Sequence, residues 1–157
     1  MVRLSALCRV GEPFVAALDA KDVIGVRSGF PAAEKPYVLD GSRMGDRSGL
    51  MKEFARGLQF PRYFGGNWSA LDDCMRDLSW LGRSAFFAII TDGEDVLSRD
   101  LTCRSAFILS LNQYGRYWAD NAETPRQSWD TRPMAFHFLI AFSSVPGNWA
   151  RLPICVP

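Results

Sequence analysis

A small α/β fold is what the sequence predicts: a three-stranded parallel sheet flanked by helices and preceded by an N-terminal extension. Three observations carry that expectation. "AFFAIITD" (85–92) and "MAFHFLIAF" (134–142) are uninterrupted apolar runs of strand length, the pattern of strands covered on both faces. Other segments space their apolar residues by three and four, the period of a helix with one buried side. Strands alternating with helices imply parallel pairing through right-handed crossovers. At 157 residues the chain suits one domain that buries roughly two thirds of its unfolded surface.

Taken in order, residues 1–35 alternate short apolar runs ("FVAAL", "VIGV") with Gly and Pro, and read as an irregular arm or small hairpin packed on the core. Residues 36–157 then form the domain proper. "YVLDG" (37–41) is a short strand running into an Asp-Gly turn. From Ser48, placed to act as N-cap, Leu50, Met51, Phe54 and Leu58 mark a helix that Pro61 ends. Asn67 caps a second helix, in which Trp68, Leu71, Met75 and Leu78 form an apolar stripe toward the core. Ser69, Asp72, Asp73 and Arg76 then form a polar stripe toward solvent. "RSAFILSLNQYGRYWADN" (104–121) is a third helix, fraying near Gly115, and a loop holding Pro125 and Pro133 leads to the last strand.

Composition narrows the function. Eighteen basic residues scatter among seventeen acids, for a net charge of +1, so the basic stripe of a nucleic-acid binder is missing. Cys8, Cys74, Cys103 and Cys155 lie far apart without CxxC spacing and read as reduced core thiols. The start "MVRLSALCRV" hints at a lipoprotein signal, but its apolar run is too short and Leu7 breaks the small-residue requirement. With no apolar span near 18 residues, the expectation is a soluble cytoplasmic protein. An enzyme is disfavoured: there is one histidine, no metal-ligand spacing, no P-loop and no GxSxG, and no cofactor is expected. That histidine, His137, sits mid-strand and reads as a hydrogen-bonded, neutral core residue.

The most specific stretch is "PRYFGGNWSALDDCM" (61–75), which meets the pattern P-x-[YF]-[YF]-G-x-N-x-x-A-L-x-D-C at Pro61, Tyr63, Phe64, Gly65, Asn67, Ala70, Leu71, Asp73 and Cys74. Residues 40–78 resemble the barstar family, intracellular inhibitors of secreted bacterial ribonucleases, without a gap. A later pattern with Trp129 and Pro133 resembles larger barstar-like proteins of other bacteria. The resemblance implies an inhibitor that caps a ribonuclease active site, acting as a monomer in a 1:1 complex, with no direct nucleic acid or membrane contact. It places Tyr63 on the enzyme's catalytic histidine and Asp73 in its phosphate site. The candidate contact residues are Tyr63, Phe64, Gly65, Gly66, Asn67, Ser69, Asp72, Asp73 and Arg76.

The chemistry of these residues agrees. A ribonuclease gathers cationic groups around the scissile phosphate, and a fixed carboxylate can make charge-assisted hydrogen bonds there in the substrate's place. Residues 63–75 carry two acids and no base, which would steer a cationic enzyme toward this face. Aromatic residues with few rotamers suit interface anchors.

The chain also departs from the family. Ser69 stands where an acid is frequent, Asp72 where an aromatic is, and Arg76 adds a cation one turn past Asp73. The family's later acidic helix positions have no counterpart: Asn112, Gln113 and Tyr117 occupy that segment, with Asp120 and Glu123 beyond it. The target is therefore a ribonuclease or similar cationic toxin, not necessarily the family's usual enzyme. The alternative is a scaffold or regulatory binding module with a non-nuclease partner. Bland readings also stand beside each residue: Tyr63, Phe64 and Trp68 as core aromatics beneath a tight turn, Asp72 and Asp73 as charges serving the helix alone through its N-terminus and an i,i+4 pair of Asp72 with Arg76, and "TDGEDVLSRD" (91–100) as a solvated helix start or a border of the interface.

Overall fold

A computed structural model describes residues 2–3, 9–120, 134–145, 147–149 and 152–156. Cys8, Glu123, Pro125, Trp129 and Pro133 lie outside the described residues. In chain order the elements are β1 (Val2–Arg3), β2 (Val15–Asp19), α1 (Val23–Ser28), β3 (Tyr37–Asp40), α2 (Arg47–Gly57), α3 (Trp68–Asp77), β4 (Ala85–Thr91), α4 (Leu101–Ala119), β5 (Ala135–Phe142) and β6 (Cys155–Val156).

The sheet is parallel throughout, in the order β2-β5-β4-β3. Both long apolar runs are its central strands, β4 and β5, and every residue of β5 is buried. Alternation sends Phe86, Ile90, Phe136, Phe138 and Leu39 into the larger core, which α2, α3 and α4 cover. Phe87, Ile89, Leu139 and Ala16 face the other way, onto Val26, Phe30 and Cys155. Cys74 and Cys155 are buried free thiols and Cys103 is half-buried.

The strand count corrects the sequence reading: this sheet has four strands, not three, and among the described residues β1 and β6 form a separate two-stranded parallel pair. The fourth is Val15–Asp19, within the segment expected to be an arm or hairpin, and it pairs from Val15↔Phe138 to Asp19↔Phe142. An Ala-rich five-residue run has weak strand propensity, so only its partner makes it a strand. Gly115 belongs to the same correction. No fraying occurs there, because α4 continues to Ala119, and a Cβ at residue 115 would sit 2.3 Å from the Cβ of Phe14. The glycine lets the chain entering β2 lie directly against the helix.

His137 pins that same entry. It is buried, with Nδ1 2.9 Å from the Pro13 carbonyl oxygen and Nε2 2.9 Å from that of Arg9. Carbonyls only accept, so both contacts are hydrogen bonds only when both ring nitrogens carry protons, and the neutral ring expected from sequence satisfies one.

α2 begins two residues earlier than expected. Asp46, not Ser48, is its N-cap: the Asp46 carboxylate accepts from Gly49 N at 2.9 Å and pairs with Arg99 at 2.8 Å. The helix stops at Gly57, and Pro61 follows after Gln59 has already turned to φ 53°. Leu50, Met51, Phe54 and Leu58 all point into the core as the spacing requires.

Glu53, 2 % exposed, ties α2 to edge strand β3 by accepting from Asp40 N at 2.8 Å and from Arg56 Nε at 2.8 Å. Burial opposes its charge, but Arg56 and the Asp40 amide outweigh that and hold its carboxyl below the usual glutamate value. A lowered folded-state pKa means stability present above the unfolded value near 4.3 and lost as pH falls through the folded value. Glu53→Gln should therefore cost about 1–2 kcal/mol at neutral pH in urea unfolding. The gap from the native protein should close on acidification. A gap that widened toward low pH would contradict this account.

Candidate functional site

The conspicuous loop between α2 and α3 is held from beneath. Phe60 packs edge-on against Phe64 at 4.9 Å and against Trp80 at 5.8 Å, while Trp80 Nε1 donates to the Leu58 carbonyl at 2.9 Å. Phe64 thus turns inward and half-buried, as a footing for the loop. Its neighbour Tyr63 stands outward at 76 % exposure. Gly65 and Gly66 are exposed, and Gly66 has φ +66°, a left-handed conformation that side chains with a Cβ adopt reluctantly. That residue lets the chain reverse into α3.

The reversal ends at Asn67, whose Oδ1 accepts from Ala70 N at 2.9 Å as the sequence predicts. α3 buries Leu71, Cys74, Met75 and Leu78, with Trp68 half-buried against Phe107 at 6.5 Å. Its other side presents Ser69 and Asp73 exposed, with Asp72 and Arg76 half-buried.

The two aspartates differ. Asp72 Oδ2 is 2.9 Å from Arg76 Nε, and the Arg76 guanidinium lies 4.9 Å over the Tyr117 ring, so this charge is neutralised inside the protein. Asp73 makes no hydrogen bond or ion pair among the described residues. Its carboxylate faces solvent.

α3 and α4 lie side by side and parallel: Trp68 meets Phe107 at one end, and Trp118 Nε1 donates to the Met75 carbonyl at 2.9 Å at the other. Between them opens a cleft of ≈ 520 Å³. Trp68, Ser69, Asp72 and Asp73 form one wall, and Cys103, Ala106, Ser110 and Tyr114 the other. Burial, with Asp72 adding to it, pushes the Tyr114 phenol far above its ordinary range, so the floor stays neutral. The α4 wall is the part that sequence reasoning missed. The buried faces of the two helices are readable one at a time, but their adjacency is not.

Of the residues considered further along α4, Gln113 is exposed, Asn112 donates to the Ile108 carbonyl at 3.0 Å, and Tyr117 lies beneath Arg76. Asp120 follows the last turn, exposed. Residues 91–100 form a tight turn and loop leading to Asp100, the N-cap of α4, and not a helix start of their own. Buried Arg104 fastens that loop, donating to the carbonyls of Val96 at 2.9 Å and Glu94 at 3.2 Å. Among the described residues no three His, Cys, Asp or Glu side chains gather as a metal site, and no helix is long and apolar enough to cross a membrane.

The arrangement offers an exposed tyrosine, a carboxylate with no partner among the described residues and a cleft beside it. Compared with known families, residues 35–130, more than half of the chain, match the model described as barstar (barnase inhibitor). No curated protein matches the chain.

Proposed function

The chain belongs to the barstar family, and from that premise we propose that it is an inhibitor of a cationic ribonuclease, blocking the enzyme's active site with the loop and helix of residues 61–76. Asp73 takes the place of a substrate phosphate. Tyr63 covers the catalytic histidine, and Gly65, Gly66, Asn67 and Ser69 complete the contact, with Phe64, Asp72 and Arg76 shaping it from behind. In this reading the protein is an immunity protein or antitoxin that acts in the cytoplasm as a monomer, one per enzyme.

The observation that carries the proposal is the contrast between the two aspartates. Asp72 is already paired with Arg76, whereas Asp73 is exposed and has no partner among the described residues. An unpaired carboxylate on a fixed helix is pre-organised for a cationic pocket, so little ordering is required on binding. A binding module with a non-nuclease partner is the second reading; Ser69 and the Asp72–Arg76 pair favour it, since both reduce the negative charge of the face.

An inhibition titration separates the two. The purified chain is added to barnase and to any basic ribonuclease encoded beside its own gene, and RNA cleavage is followed. At least one of these activities should fall to zero at a 1:1 ratio. Undiminished cleavage by both would end the inhibitor reading.

A further inference from the structure

We propose that His137 is a proton-operated clasp: with a proton on both ring nitrogens it grips the chain entering β2 by two carbonyl oxygens, and on losing one it releases residues 9–12. Nδ1 lies 2.9 Å from the Pro13 carbonyl oxygen and Nε2 2.9 Å from that of Arg9, and both oxygens can only accept. A neutral imidazole has a single N–H, so its bare nitrogen would set a lone pair against a carbonyl oxygen at hydrogen-bond distance. That contact repels. The doubly protonated ring satisfies both oxygens at once. Its neighbours also suit a cation, since Phe87 stacks on it at 5.8 Å and Phe14 at 6.4 Å, and aromatic faces attract positive charge. Burial opposes that charge, while the two accepting carbonyls favour it.

Which end opens is fixed by what else holds the segment. After Pro13 the chain is fastened, because the Phe14 carbonyl accepts from Phe138 N at 2.8 Å and β2 begins at Val15. Before Pro13 it is held lightly. Among the described residues, the polar ties of residues 9–12 to the rest of the fold are the Arg9 carbonyl on His137 and the exposed ion pair of Glu12 with Arg116 at 3.2 Å. The charged groups around the ring do not switch with it. Arg9 and Glu12 lie on the segment itself, Arg116 on α4, Asp22 and Arg27 at α1, and Glu34 on the turn before β3. β4 presents Phe87, and the buried residues of that face are apolar apart from the Cys155 thiol, which burial pushes up to about 11. Among the described residues, the polar contacts of the ring are the two carbonyls alone. Between pH 5 and 8 carboxylates and guanidiniums ordinarily keep their charge and an imidazole does not. The docked segment holds one proton more than the released one, so acid favours docking and rising pH undoes it.

Trypsin reads the clasp directly, because the carbonyl it attacks after Arg9 is the one that His137 holds. The full-length chain, prepared without a histidine tag, is digested at pH 5 and at pH 8, and cleavage after Arg9 is followed by mass spectrometry. Each rate is divided by that of an unstructured peptide containing the same bond, which removes the protease's own pH dependence. The normalised rate should rise about tenfold from pH 5 to pH 8. In His137→Gln, whose single amide nitrogen reaches one carbonyl, cleavage should be fast at both. His137 is the only histidine, so nitrogen-15 NMR of the native chain reads its ring directly: both nitrogens should bear protons at pH 5 and one at pH 8. A bare ring nitrogen at pH 5 with Arg9 still protected overturns the clasp, whether or not the variant folds. So does a normalised native rate that agrees within twofold at the two pH values, or a folded His137→Gln that keeps the native pH dependence. None of these readouts involves a ribonuclease, so the clasp and the inhibitor reading fail separately.

Discussion

Asp73→Ala is expected to leave a normally folded protein that binds its ribonuclease at least ~30-fold more weakly, the ~2 kcal/mol that defines an interface hot spot. Barstar's own aspartate is the known extreme of that class, so the size of the effect comes from the family and not from this geometry. What the geometry contributes is the separation of binding from folding. Asp73 is exposed and makes no hydrogen bond or ion pair among the described residues, so its removal strands no buried group. Its effect on stability should stay within about 0.5 kcal/mol. The loss should appear mainly as faster dissociation, because the carboxylate becomes desolvated and paired only once the complex has formed. Surface plasmon resonance reads both rates, and a melt reads the fold. Affinity kept within a few fold would remove Asp73 from the contact and the phosphate analogy with it.

Phe54→Ala should do the reverse, lowering stability by about 3–5 kcal/mol while sparing the intrinsic affinity of the folded fraction. Phe54 is fully buried where α2, α4 and β5 meet, edge-on to Phe107 at 5.8 Å and tilted against Phe138 at 6.2 Å. Truncation leaves a void among side chains that each rest on a different element, so no single shift can fill it. In thermal unfolding the midpoint should drop by roughly 10 °C, at 2–4 °C per kcal/mol for a chain of this length. Phe107 also supports Trp68, which links this core position to the cleft. A midpoint lowered by only a degree or two would mean that the three elements close around the vacancy.

Much of the candidate contact surface was readable in the sequence. The Asn67 cap, the Leu71–Met75–Leu78 stripe and the outward placement of Asp73 follow from helix period and capping chemistry, both of which act within a few residues. The inward turn of Phe64 and the outward turn of Tyr63 were not readable, since adjacent aromatics look alike until Phe60 and Trp80 claim one of them. The α2 cap was misplaced because Asp46 and Ser48 are both good N-caps, and contact with Arg99 stands with the first.

Local patterning by itself determined which side of each helix is greasy, that the two long apolar runs are strands covered on both faces, and that a carboxylate would stand in water nearly two turns after the Asn67 cap. Tertiary structure alone decided that Val15–Asp19 becomes a fourth strand beside β5 and that α3 and α4 lie together with a cleft between them. The reason is range. Periodicity and capping are settled among near neighbours in the chain, whereas pairing across more than a hundred residues, or laying two helices against one sheet, depends on surfaces that exist only once the whole core has closed.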